Sequence, residues 1–187
     1  MRHFSFRPAL TLRGRKFKGL RGWAGKPFHP PLTDVPVGAY MLAAAFDLIS
    51  ALGRSNSWAR DYYRAGTFTL VGGAAISLLA ALTGFWDWLR STEAGTQARR
   101  TANAHAVTML TVTALVLADI AVRILVYPAH HSTPAVALGL SLAAAALTVI
   151  GGTLGGTLGF DYGFNVETAG DSPVWHQSEV DVFPGQH

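Results

Sequence analysis

The chain is 187 residues long; half of them are hydrophobic, 14% are charged, the net charge is +4 and there is no cysteine. Average soluble domains carry about 25% Asp, Glu, Lys and Arg, and here long stretches between Val35 and Phe160 hold almost none. The missing cysteines exclude disulfides, Cys-ligated zinc, iron–sulfur clusters bound by this chain alone and thiol catalysis, so any metal or haem would need His, Met or carboxylate ligands.

Residues 1–33 read as a basic arm, carrying Arg2, Arg7, Arg13, Arg15, Lys16, Lys18, Arg21 and Lys26. It has no apolar run after the basic residues, so it does not read as a signal peptide. The arm leads directly into apolar sequence, so its expected partner is anionic lipid rather than nucleic acid, at about 1 kcal/mol per basic residue near the headgroups.

Residues 34–160 read as four membrane-spanning helices, at about 35–53, 66–89, 104–127 and 134–160. Each is near the roughly 20 residues needed to cross a bilayer core. Helices are expected because lipid cannot satisfy free backbone groups, and the alternation of a barrel strand is missing. The short links predict an all-α up-down-up-down bundle of antiparallel neighbours. Residues 161–187 form an acidic polar tail with Asp161, Glu167, Asp171, Glu179 and Asp181.

Lys and Arg flank the cytoplasmic ends of spans. The arm, with Arg90, Arg99 and Arg100, predicts both termini inside, against Arg54, Arg60 and Arg64 outside. Trp58, Tyr62, Tyr63 and Tyr127 are expected at the outer interface. Phe28, Phe85, Trp86, Trp88, Phe160 and Tyr162 are expected at the inner one.

Three polar features interrupt the spans. The first is GGTLGGTLG, in which Gly151, Gly155 and Gly159, and Gly152 with Gly156, form small stripes suited to close helix packing. Gly73, Ser77 and Ala81 offer a similar stripe. The second is Asp47, Asp119 and Arg123. A charge in mid-bilayer costs at least about 2.5–3.5 kcal/mol; Asp119 and Arg123 lie four apart on one face and can pair, and Asp47 reaches the same outer half. They read as a packing cluster or, failing that, an ion path.

The third feature emerges only from the alternating topology, which brings His29, Asp87, His105 and Asp161 to the inner ends of the four helices. Two imidazoles and carboxylates suit a transition metal, and two His alone can ligate haem b. Pro30, Pro31 and Pro36 are expected to hold the entry to the first helix extended, and Asp87 to orient an imidazole. Helix capping and hydrogen bonding account for the same residues without a ligand. His130 and His131 read as loop residues. There is no Ser–His–Asp order, phosphate loop or HExxH motif.

The run HPPLTDVPVGAYMLAAAFDLI, then TGFWDW, NAHAV and GGTLGGTLGFDYGFNVE, resembles the DUF2231 family of bacterial membrane proteins over roughly residues 28–167. His29, Pro30, Pro36, Asp47, Gly84, Asp87, His105, Gly155 and Gly156 carry the likeness. The resemblance implies a four-helix integral membrane domain in the plasma membrane. Some members carry a fused Rieske domain, which implies redox work; this chain has neither that segment nor a cysteine, so such a partner would be a separate protein.

The resulting expectation is a membrane subunit, not a stand-alone enzyme, that holds a haem or metal for a redox-linked system. A scaffold that binds a helix or forms a homo-oligomer, and an ion transporter, are the alternatives. The first and second helix pairs show no convincing likeness in sequence, which counts against the repeats common in transporters.

Overall fold

The computed structural model describes residues 19–20 and 27–163. The lipid contact expected of the basic arm and the acidic tail beyond Gly163 fall almost wholly outside these residues. Four helices follow in order: α1 (His29–Gly53), α2 (Ala59–Ser91), α3 (Gln97–Ala121), which continues as a π-helical turn over Val122–Val126, and α4 (Ala135–Phe160). All four are long and apolar enough to cross a membrane.

Their surfaces explain why the chain belongs in lipid. Large apolar side chains point outward, among them Leu52, Phe68, Leu82 and Leu125, the last 77% exposed. The interior is built from small residues. Tyr40, Ala43, Leu70, Ala74, Val112, Val116 and Ala144 form the core, and Gly73 admits the Tyr40 ring. Without a hydrophobic drive between helices in lipid, such close approach supplies the packing.

The first helix begins at His29 rather than near Val35. Pro30 and Pro31 occupy its first turn instead of an extended lead-in, because their missing N–H groups have no intrahelical acceptor there and their φ is already helical. Pro36 lies inside α1. Arg60 and Arg64 belong to α2, which leaves only Arg54 in the first link.

α1 packs chiefly on α2 and α3 on α4, with lesser contacts of α1 with α4 and α2 with α3. The two hairpins repeat one another in register. His29, Pro36, Tyr40, Ala43 and Asp47 on α1 correspond to His105, Val112, Val116, Asp119 and Arg123, each 76 residues further on (29 to 105), and from Pro36 onward both members of every pair are buried. In α2, Gly66, Leu70, Gly73, Ala74, Ser77, Ala80 and Asp87 correspond to Ala137, Ser141, Ala144, Ala145, Thr148, Gly151 and Leu158, each 71 further on (66 to 137), and again both members are buried. The two hairpins thus share one burial pattern, α3 with its π turn matching α1 and α4 matching α2. Sequence alone gave no such likeness, since few of the paired residues are identical.

Candidate functional site

The end of the bundle at which α1 and α3 begin carries the two imidazoles. His29 Nδ1 lies 2.9 Å from the Ala80 carbonyl oxygen and 3.3 Å from Thr83 Oγ1. His105 Nδ1 lies 2.8 Å from the Gly151 carbonyl oxygen. A carbonyl can only accept, so Nδ1 carries the proton in both rings and the lone pair falls to Nε2. Among the described residues neither Nε2 has a hydrogen-bond partner.

Each ring also sits on a glycine one turn beyond its carbonyl. A Cβ on Gly84 would come within 2.6 Å of His29 Cε1, and one on Gly155 within 3.2 Å of His105 Cε1. Ala80 and Gly151 are separated by the same 71 residues (80 to 151) as Gly84 and Gly155 (84 to 155). The same half-site (imidazole, carbonyl, glycine seat) is therefore built twice, once in each hairpin.

The carboxylates do not join them. Asp87 is buried, but its Oδ1 accepts from the backbone N–H of Leu20 at 2.9 Å, and Leu20 in turn accepts from Phe28 N–H at 3.1 Å. The expected orienting of an imidazole by Asp87 is therefore replaced by main-chain carbonyls, while Asp87 ties the entering chain to α2. Asp161 is the exposed C-cap of α4. Among the described residues no three His, Asp or Glu side chains gather as metal ligands, so the expected metal site of His29, His105 and Asp87 is not assembled.

The opposite end holds the charge cluster. At 1.5 Å per residue, Asp47 lies about 27 Å along α1 from His29, nearly the roughly 30 Å thickness of a bilayer core. Arg123 donates from Nη2 to Asp47 Oδ2 at 2.5 Å, from Nε to Asp119 Oδ1 at 2.8 Å and from Nη2 to Asp119 Oδ2 at 3.1 Å. Nη1 donates to Thr67 Oγ1 at 3.2 Å, and the guanidinium lies 5.3 Å from the Tyr63 ring centre. Asp47 is fully buried and Arg123 only 2% exposed. Gly66 makes room for Asp47, since a Cβ there would stand 2.9 Å from Oδ1.

Residues with no charge complete the cluster, and sequence reading missed them. Thr133 donates its hydroxyl to Asp47 Oδ1 at 3.1 Å and its N–H to Ser50 Oγ at 2.9 Å. Ser50 donates to the Ala59 carbonyl at 2.7 Å. Tyr63, expected at the lipid interface, is buried and donates to the Tyr127 carbonyl at 3.0 Å. The π turn that carries Arg123 closes with Tyr127 N–H on the Val122 carbonyl at 3.1 Å. Every nitrogen of the guanidinium donates at least one hydrogen bond, so the cluster clamps α1, α2, the π turn that extends α3 and the third link.

The glycines of α4 divide. Gly151 abuts Met109 and Thr108, and Gly155 abuts His105. Gly152 and Gly159 face open space, and Gly156 meets only Phe160 of its own helix. The packing stripe is thus Gly151 and Gly155, without Gly159 or the second row.

The family model described as Predicted membrane protein (DUF2231) matches residues 25–168, which takes in all four helices and both polar sites. The chain belongs to the DUF2231 family. No curated protein and no solved structure matches it. The DUF2231 region is thus an integral, multi-pass membrane bundle in which each hairpin supplies one seated imidazole at one end and one member of the central ion pair at the other.

Proposed function

We propose that this DUF2231 protein is the membrane-embedded subunit of a redox-linked system, with a cofactor held at the histidine end by His29 and His105. The observation that carries the reading is the pair of imidazoles. Each has its Nδ1 proton committed to a main-chain carbonyl, the arrangement that fixes a ligand histidine's tautomer and leaves Nε2 basic. Two ligands suffice for haem b, which needs no carboxylate and no cysteine. The electron partner is a separate polypeptide.

The histidine end faces the cytoplasm in this reading. The eight basic residues of the arm lie on that side, together with Arg90, Arg99 and Arg100, and the positive-inside bias supports it. Arg99 is held in place there by stacking 3.6 Å from the Trp88 ring centre. The arm contacts anionic headgroups.

The test is an absorption spectrum and metal analysis of the detergent-purified protein. A Soret band or stoichiometric metal supports the reading. A colourless, metal-free protein that stays folded sinks it, and leaves the scaffold role, which needs no cofactor.

A further inference from the structure

The charge cluster carries one carboxylate too many. Asp47 and Asp119 share a single guanidinium, and all three side chains are buried. We infer that the cluster is a proton-binding site: the two carboxylates hold one proton between them at neutral pH, seated on Asp47 Oδ1 against the Thr133 hydroxyl. This stands independently of any cofactor at the histidine end.

Three observations carry it. First, nothing else balances the surplus charge. Thr67 and Tyr63 meet Arg123 from α2, and Thr133 meets Asp47 from the third link; none is a cation. His130 packs edge-on against the Tyr63 ring, 6.5 Å between centres, with its Nδ1 on the Ser132 carbonyl. Arg54, Arg60 and Arg64, the other arginines of this end, are exposed. Among the described residues no second Arg, Lys or His bonds either carboxylate. A buried carboxylate without a counter-charge takes up a proton rather than stay ionised.

Second, the two carboxylates meet on one NH2 group. Arg123 Nη2 donates to Asp47 Oδ2 at 2.5 Å and to Asp119 Oδ2 at 3.1 Å. Two carboxylates sharing a site keep a proton that neither would keep alone, and the pair titrates as a unit. The remaining negative charge is then shared, and it matches the one guanidinium.

Third, the four carboxylate oxygens are not alike. Asp47 Oδ2 and both oxygens of Asp119 face guanidinium N–H groups, which only donate, so these three must accept. Asp47 Oδ1 instead faces Thr133 Oγ1 at 3.1 Å, and a hydroxyl can accept as well as donate. It is the one oxygen of the four with a place for an acidic hydrogen. When the proton is bound, this hydrogen bond runs from Asp47 to Thr133.

The experiment is infrared spectroscopy of the full-length protein in detergent at pH 7. Asp87→Asn serves as the background, because Asp87 is the other buried carboxyl among the described residues. The expected result is the carbonyl band of one protonated carboxylic acid per chain. Asp47→Asn and Asp119→Asn should each remove it, because the carboxylate left behind is balanced by Arg123. Thr133→Val should shift it, since the acid loses its acceptor. Circular dichroism checks that each variant keeps its helices. Unfolding against pH gives a second reading. The folded cluster keeps a proton that the unfolded chain releases at neutral pH, so stability falls as pH rises until the folded pair gives it up. Asp47→Asn has no such proton to lose and should lack that part of the fall.

No protonated carboxyl in the background protein overturns the inference, whether or not the Asn variants fold. A band that survives both Asn variants overturns it too. Loss in only one of them shows a proton that belongs to one carboxyl and overturns the sharing. A band that Thr133→Val leaves unshifted overturns the seat on Asp47 Oδ1.

Discussion

Asp47 on α1 and Arg123 on the π turn that extends α3 hold matching positions in the two hairpins, and they meet in the bundle interior as an ion pair of 2.5 Å. Matching positions of the two hairpins thus carry opposite charges and bond to one another. Asp119, whose counterpart is Ala43, adds a second carboxylate to the same guanidinium.

Removing Arg123 leaves Asp47 and Asp119 buried without their cation, whereas removing Asp47 leaves Arg123 on Asp119. Arg123→Ala is expected to destabilise the bundle by about 3–5 kcal/mol and Asp47→Ala by clearly less, read from denaturant unfolding in detergent micelles. Asp47→Asn keeps an acceptor for Arg123 and should cost less. Arg123→Met combined with Asp47→Leu and Asp119→Leu should cost clearly less than the sum of the three single changes, because no charge is then stranded. Strict additivity would show that the pair does not couple.

Tyr40 gives the opposite expectation. It is buried in the core and its hydroxyl has no hydrogen-bond partner among the described residues. An unsatisfied buried polar group costs about 1–3 kcal/mol. Tyr40→Phe should therefore leave thermal stability unchanged or raise it. A clear fall in the unfolding temperature would mean that the hydroxyl is bonded in the folded protein.

The two glycine rows of α4 should separate cleanly. Gly151→Leu drives a side chain into Met109 and is expected to destabilise by about 1–3 kcal/mol or more. A Cβ on Gly152 meets nothing within 4 Å, so Gly152→Leu should be tolerated. The comparison can be read from folded yield and detergent-denaturant unfolding, and equal losses would remove the distinction.

The absence of cysteine makes the orientation simple to read. Ser132→Cys lies in the third link and Thr96→Cys in the second. An impermeant maleimide on intact cells should label Ser132→Cys, and should reach Thr96→Cys only after lysis. The reverse pattern would place the histidine end outside.

Much of this architecture is legible from the chain alone. The four spans follow from length and apolarity, because lipid admits only backbone that satisfies itself. Asp119 and Arg123 could be paired by their spacing, since four residues bring side chains to one face of a helix. The equal spacing of His29 from Asp47 and of His105 from Arg123 is also present in the sequence, and would have exposed the pattern the hairpins share. It is masked because a membrane core conserves small size and burial rather than identity, so that Leu70 matches Ser141 and Asp87 matches Leu158.

Other features depend on the assembled bundle. Residue type makes Asp87 as plausible a partner for an imidazole as any carbonyl; the backbone N–H of Leu20 takes its Oδ1 instead. Backbone carbonyls are the same at every position, so no residue type announces that Ala80 and Gly151 hold the histidines. Thr133 and Ser50 join the cluster through hydroxyls that bond other segments, while Thr67 accepts from Arg123 as it donates to the Tyr63 carbonyl of its own preceding turn, the bond that Thr69 makes to Ala65. The sequence by itself determined a four-helix membrane protein with polar residues toward each end. Tertiary structure alone decided that these residues form a closed clamp at one end and two seated, matching imidazoles at the other, because those contacts depend on helix register and backbone approach rather than on side-chain identity.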